Sequence, residues 1–250
     1  MVLYEQQCKL ERVAKLVRAE GGFLVIMQNF FAQIKGKLIV SCQALADEPL
    51  HSPFIMGRMA LAAKEGGAAA IRAQGVEDIR EIAKVTGLPI IGLIKRNYAD
   101  SDIYITATKK EVDELLTAPC DMIAVDMTNR PRPHGEQLPD LIDRIHAAGR
   151  MVLADISTYE EGVAAAQLGA DAVSTTMSGY THYSPQLKGP DMALAARLAA
   201  DLAIPVFAEG RIQTPEELRQ VMELGVWSAI VGSAITRPQL ITQKFTDVLK

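Results

Sequence analysis

The chain has 250 residues, 49% of them hydrophobic, with a formal net charge of -4 and a pI near 5.6. That apolar share fills one large core or two small ones, and the acidic balance gives no electrostatic reason for a nucleic-acid or anionic-membrane partner. The longest apolar run, Gly21 to Met27, is far below the ~20 residues of a membrane span. No small-residue cleavage site follows it, and Cys8, Cys42 and Cys120 lack CxxC or paired spacing. A cytoplasmic protein with reduced, buried thiols is expected.

The first ~35 residues stand apart from the rest. Lys9 to Arg18 alternates charge and apolar residues at helical spacing, and Phe23 to Ile34 reads as a second helix that closes a barrel floor. A helical extension over 1–35 followed by a catalytic barrel over 36–250 is therefore expected. No chemistry is assigned to the extension.

From Leu38 onward, short β-branched apolar runs alternate with longer stretches of helical periodicity, the pattern of repeated βα units around a parallel sheet. Strands are read at Leu38 to Ala44, Ala68 to Ala73, Pro89 to Lys95, Asp121 to Met127, Met151 to Ile156, Ala172 to Thr176, Pro205 to Glu209 and Ser228 to Ser233. Helix stops precede several of them: Glu65-Gly66-Gly67, Thr86-Gly87-Leu88-Pro89, Ala148-Gly149-Arg150, Leu168-Gly169-Ala170 and Leu224-Gly225-Val226. Thr214-Pro215-Glu216-Glu217 supplies a helix start, with an N-cap, a first-turn proline and acids at the positive end of the dipole. Eight units without a linker predict a single (β/α)8 TIM barrel. A doubly wound open sheet is the structural alternative.

In such a barrel the loops after the strands carry the active site. The strand ends supply Ser41-Cys42-Gln43, Arg72, Lys95-Arg96, Asp126, Asp155, Thr175-Thr176, Glu209 and Gly232-Ser233. A buried charge at a strand end often serves only to pair with another across the barrel mouth. Lys95 and Glu209 are the exceptions. Both follow strongly apolar strands, so both should project into a desolvated cavity where proton affinity is tuned. After strands seven and eight, Gly210, Gly232 and Ser233 let backbone N–H groups approach a phosphate, and Arg237 adds a charge-assisted contact. There is no GxGxxG, GxxxxGK[ST] or HExxH, and His51, His134, His146 and His182 lack metal-ligand spacing. No cofactor and no metal are expected. His182 lies in a polar loop and His146 on a helical face, positions where solvated or structural roles are the ordinary ones.

The stretches LIVSCQA from Leu38, PLHSPFIMGRMALAAKEGGAAAIRA from Pro49, PIIGLIKR from Pro89, YIT from Tyr104, MIAVDMTNRPRP from Met122, LADIS from Leu153, STTMSGYT from Ser174, VFAEGRI from Val206 and VGSAITRPQLIT from Val231 together resemble the N-acetylmannosamine-6-phosphate 2-epimerase family. The resemblance runs from about Gly36 to the C-terminus. It implies a TIM barrel without metal or nucleotide, acting on a sugar phosphate in sialic-acid catabolism. It implies Lys95 as the acid/base that exchanges the C2 proton, with Glu209 assisting. It places substrate contacts on Gln43, Arg72 and Asp155, and phosphate on the glycine-bearing loops and Arg237. A homodimer is expected from the family and from the apolar final helix, Leu240 to Leu249. Two departures stand out: Ala107 replaces a frequent proline, and the segment before about Met27 has no family counterpart.

The chemistry agrees with the resemblance. Inverting C2 requires removing a weakly acidic C–H proton beside the C1 carbonyl of the ring-opened sugar, which needs a base and a group that stabilises the enolate. Whether Lys95 serves both faces or Glu209 supplies the second proton stays open at this level. Two other functions fit part of the pattern. A Schiff-base aldolase would use the same lysine, and a sugar-phosphate sensor would bind without turnover, against which the pair Lys95 and Glu209 argues.

Overall fold

The computed structural model describes residues 22, 25 and 27–249. Lys9 to Arg18, and with it the first expected helix, lies outside the described residues. Residues 27–34 are helical (α1). The chain then runs β1 (Leu38–Cys42), α2 (Pro53–Glu65), β2 (Ala70–Gln74), α3 (Val76–Thr86), β3 (Ile90–Leu93), α4 (Lys109–Leu116), β4 (Met122–Asp126), α5 (Leu138–Ala147) and β5 (Met151–Asp155). It continues through α6 (Tyr159–Gln167), β6 (Ala172–Ser174), α7 (Met192–Asp201), β7 (Val206–Glu209), α8 (Pro215–Glu223), β8 (Ser228–Val231), the short α9 (Ser233–Thr236) and α10 (Pro238–Asp247). All neighbouring strands are parallel, and β8 pairs back onto β1, Ile39 beside Ile230 and Val40 beside Val231, so the sheet closes. The fold is a (β/α)8 TIM barrel, and the open-sheet alternative is excluded.

All eight expected strands form, but most end earlier than the sequence reading placed them. Lys95, Thr176 and Ser233 each lie two residues beyond the last ladder residue. The physical reason is the barrel mouth, where neighbouring strands diverge and the chain turns into loops. Strand two also starts two residues late, at Ala70.

Local chemistry sets the helix ends. Thr108, Thr158 and Thr214 begin α4, α6 and α8 with reciprocal capping boxes to Glu111, Glu161 and Glu217, each of which satisfies two otherwise unpaired N–H groups. The glycines at the five expected helix stops, Gly67, Gly87, Gly149, Gly169 and Gly225, all take positive φ. An L side chain would be strained there.

Strand periodicity divides the core in two. Val40, Ile71, Ile123, Val152 and Ala229 point outward against the helices, whereas Ile39, Ile91, Met122, Leu153, Phe207 and Ile230 point into the lumen. The lumen is closed at the strand N-termini by Phe30, Phe31 and Ile34 of α1, all buried. Phe31 meets Trp227 edge-on at 6.2 Å, and its carbonyl accepts from the indole N–H at 2.9 Å. Each buried ring of this kind contributes about 1.5–3 kcal/mol. With the floor plugged by hydrocarbon, the free space lies at the opposite end.

Candidate active site

The same alternation that puts Ile39, Ala70, Ile91, Leu153 and Phe207 in the lumen puts Ser41, Arg72, Lys95, Asp155 and Glu209 there too, nearer the strand C-termini. A layer of charge therefore sits directly on the apolar filling. Arg72 is 1% exposed and Asp155 0%. Arg72 donates bidentately to Asp155, Nη1 to Oδ1 at 3.0 Å and Nη2 to Oδ2 at 2.5 Å, and donates to Glu209 through Nη1. The Thr176 hydroxyl lies 2.7 Å from Asp155 and 2.8 Å from Glu209. Having one proton, it donates to one carboxylate at a time. Glu209 is further held by its backbone, whose N–H and C=O both bond the Thr175 hydroxyl, at 3.0 and 2.9 Å.

Burial alone would weaken Arg72's hold on its proton, but the charges of Asp155 and Glu209 raise it above the ordinary value. Burial pushes the Glu209 carboxyl above the usual carboxylate range, with Arg72 opposing and Asp155 reinforcing the rise. One guanidinium serves two carboxylates, and Glu209, at 13% side-chain exposure, is the one that reaches open space.

Lys95 stands just past β3, fixed by an antiparallel bridge to Ile105. The loop after β3 folds back to make this bridge, with Arg96 N–H donating to Tyr104 O at 2.9 Å and Thr106 N–H to Ile94 O at 2.7 Å. Thr106 adopts φ +43°, strained for a β-branched residue. The outcome is that Lys95 faces the cavity while Arg96 faces away, paired with Glu111 and Glu114. Burial, then the positive charges of Arg72 and Arg237, pull the Lys95 ammonium down to about 8. Glu209 and Asp155 offset part of that shift.

These groups open into one cavity of about 560 Å³. Of the residues expected from the sequence, Lys95, Glu209, Gln43, Arg72, Gly210, Gly232, Ser233 and Arg237 all line it. Asp155 does not. It is fully buried beneath Arg72, with both oxygens engaged by the guanidinium. Gln43 Nε2 donates to Ser41 Oγ at 2.7 Å, and its Oε1 has no partner among the described residues. Gly232 packs closely on β1: a Cβ there would stand 3.3 Å from Ser41 Cβ.

The histidines stay outside. His146 bonds Asp171 at 2.9 Å, His182 stacks edge-on against Tyr183 at 4.9 Å, and neither lines the cavity. Among the described residues no group of three His, Cys, Asp or Glu is placed to hold a metal, and no helix is long and apolar enough to cross a membrane.

Several lining residues escaped sequence reasoning as individual candidates: Asn97, Tyr104, Tyr180, Arg211 and Gln213. Tyr104 arrives through the folded-back loop, which no periodicity announces. Arg211 crosses to the loop after β6, donating to Gly189 O at 2.8 Å and to Ser178 O. Gly179 lies against this guanidinium and takes φ +79°, a left-handed backbone that favours glycine.

A closed βα barrel with a titratable lysine, a carboxylate of raised proton affinity and an arginine converging at its C-terminal mouth defines this chain as a TIM-barrel enzyme. Residues 56–250 match the NanE family model, described as "Putative N-acetylmannosamine-6-phosphate epimerase". Curated relatives from Clostridioides difficile strain 630 and Clostridium perfringens strain SM101, each named "Putative N-acetylmannosamine-6-phosphate 2-epimerase", are 66% identical over 218 residues and 65% over 217. Both alignments span 87% of this chain and 98% of the relative. The solved N-acetylmannosamine-6-phosphate 2-epimerase of Clostridium perfringens superposes with a TM-score of 0.86 at 64% identity, over 87% of this chain and 95% of that one. The chain belongs to the N-acetylmannosamine-6-phosphate epimerase family.

Proposed function

We propose that the protein interconverts N-acetylmannosamine 6-phosphate and N-acetylglucosamine 6-phosphate by proton transfer at C2 of the ring-opened sugar. The observation that carries this reading is the convergence of Lys95 and Glu209 on one cavity, with Lys95 titrating near neutrality. An ordinary lysine is almost fully protonated at pH 7, whereas a pKa of about 8 leaves roughly one molecule in ten with a free amine, sufficient for a general base. The relatives' names support the substrate.

In this mechanism the neutral Lys95 amine takes the C2 proton. The electron pair left behind delocalises onto the C1 oxygen, and the cationic Arg72 and the newly formed Lys95 ammonium stabilise the resulting enolate. Return of a proton to the opposite face inverts the centre. Glu209 supports that role because burial raises its proton affinity above that of an ordinary carboxylate and it reaches the same cavity as Lys95. Gln43, with an unpartnered acceptor oxygen, is offered to a sugar hydroxyl or amide N–H. The phosphate is assigned to the backbone around Gly210, Gly232 and Ser233 and to Arg237, and Asp155 acts through Arg72. The transfer needs no nicotinamide, metal or nucleotide, and we place it in sialic-acid and N-acetylmannosamine catabolism. The exposed apolar side chains of α10 and its C-terminal flank, Leu240, Phe245, Val248 and Leu249, support the homodimer expected from the sequence, which light scattering checks.

The test is NMR of N-acetylmannosamine 6-phosphate in deuterium oxide with protein dialysed free of metals and nucleotides. Epimer should appear carrying deuterium at C2 alone. Epimer without C2 deuterium would sink the proton transfer, and absence of epimer would sink the function. A depressed lysine pKa also suits imine formation, so borohydride reduction with substrate present is the companion test. It should leave Lys95 unmodified, and a trapped adduct would favour the aldolase.

A further inference from the structure

We propose that Glu48, in the loop after β1, is the positioning residue of the phosphate site, fixing Arg237 so that its guanidinium meets the anion already oriented. The inference rests on the assignment of Arg237 to phosphate given above. Glu48 does not line the cavity, whereas Arg237 does. Arg237 Nη2 donates to Glu48 Oε2 at 3.0 Å, and the two side chains are 29% and 16% exposed.

Glu48 is the fixed member of this pair. Its Oε2 also accepts from Leu45 N–H at 2.8 Å and its Oε1 from Gln239 Nε2 at 3.1 Å. Its backbone closes the turn, Glu48 N–H to Leu45 O at 2.9 Å and His51 N–H to Glu48 O at 3.1 Å. Arg237 has less support of its own. It stands at the joint between α9 and α10 with φ -119° and ψ 79°, outside either helix. A side chain with four rotatable bonds at such a place would sample many rotamers, and an anion would have to select the productive one. Glu48 engages one edge of the guanidinium and leaves the other donors free for the cavity.

The contact joins residues 189 positions apart, across the seam where β8 meets β1. The seam is tied at a second point, Thr236 Oγ1 donating to Ser41 O at 2.8 Å. The chain segment that carries Arg237 is thus registered against the loop after β1 by its backbone, and Arg237 itself by Glu48. Gln239 Oε1 has no partner among the described residues. Its amide can turn over to accept from a Glu48→Gln amide, so that variant keeps the geometry while losing the charge.

The experiment measures KM and kcat for the sugar phosphate, and calorimetric affinity for inorganic phosphate, on the full chain. Glu48→Ala should raise KM and the phosphate Kd by about tenfold, with kcat within about twofold of wild type. Glu48→Gln should return both to within about threefold. In the Arg237→Ala background, Glu48→Ala should add nothing further. Wild-type KM and phosphate Kd in a folded Glu48→Ala would overturn the proposal, as would a full additive loss in the double variant. If Glu48→Ala does not fold, Glu48→Asp carries the test: it retracts the carboxylate by one methylene, and a wild-type KM there overturns the idea. Calorimetry needs no turnover, so a wild type that fails to epimerise would defeat the proposed function while the phosphate measurements still decide the role of Glu48. Unchanged phosphate affinity in Arg237→Ala would overturn both the anion assignment and this inference.

Discussion

The two sides of the cavity are built on different principles. The lumen side consists of side chains projecting from strands: Arg72, Asp155 and Glu209 lie in a fixed lattice with Thr176, and Lys95 stands just above it. The rim side is made of loop backbone around Gly210, Gly232 and Ser233, plus the partly exposed Arg237 steadied from outside the cavity by Glu48. Desolvation separates them. Burial moves the proton affinities of Lys95 and Glu209 toward neutrality, which proton transfer requires. An anion that does not react needs only donors and positive charge, which a half-solvated rim can provide. The proposed function thus places proton transfer where water is excluded and phosphate binding where water can exchange.

Mutations should respect this division. Lys95→Met should show the largest effect, a loss of turnover of about 10⁴-fold or more, with substrate affinity changed only a few-fold by calorimetry. It carries a stability signature as well. The folded-state pKa of Lys95 lies below its unfolded value, so below about pH 8 the fold holds a charge it would rather lose. Stability contributed by this group is recovered as pH rises through the window from about 8 to the ordinary lysine value. Thermal melts should thus find Lys95→Met more stable than wild type at pH 7, with the gap narrowing at higher pH. Equal melting temperatures at pH 7 would show that Lys95 is less desolvated than described.

Glu209→Gln is isosteric and should lower kcat by about 10²–10³-fold while leaving KM within a few-fold. A shift confined to KM would move Glu209 to the binding side of the comparison. Arg237→Ala should do the converse, raising KM by an amount equivalent to about 2–4 kcal/mol with kcat little changed. The unphosphorylated sugar should be a poor substrate in both proteins.

Asp155→Asn sharpens the contrast, because Asp155 belongs to the lumen lattice but is fully buried beneath Arg72. It should cost stability, up to about 3–5 kcal/mol in denaturant unfolding, as Arg72 keeps only one carboxylate. Its effect should fall on kcat through a displaced Arg72. A change in KM alone would place Asp155 in contact with substrate instead. The wild-type profile of kcat/KM should rise with pH through about 8, as Lys95 loses its proton. Gly232→Ala should have the smallest effect. Its new Cβ would sit 3.3 Å from Ser41 Cβ, a contact relieved by a small shift of the rim, so KM should rise by about fivefold or less.

The barrel was legible because short β-branched apolar runs are a local signal carried by all eight units, and glycine helix stops mark five of them. Lys95 and Glu209 stood out because each follows an unbroken apolar strand. Asp155 was equally visible as a strand-end acid, yet its burial beneath Arg72 could not be read from sequence. Tyr104 was hidden because a fifteen-residue loop between β3 and α4 has no period, and only the bridge from Lys95 to Ile105 turns it inward.

Sequence by itself determined the order of strands and helices, roughly where each strand ends, and hence which ionisable groups stand at the mouth. These follow from apolar runs, helical periodicity and helix stops, which depend on neighbours a few residues away. Tertiary structure alone decided the pairings: Arg72 with Asp155 and Glu209 across 83 and 137 residues, and Arg237 with Glu48 across 189. Such partners are chosen by the closure of the barrel, which brings strand ends together at distances no local pattern encodes. The proton affinities follow from those pairings and from burial, so they too belong to the folded molecule.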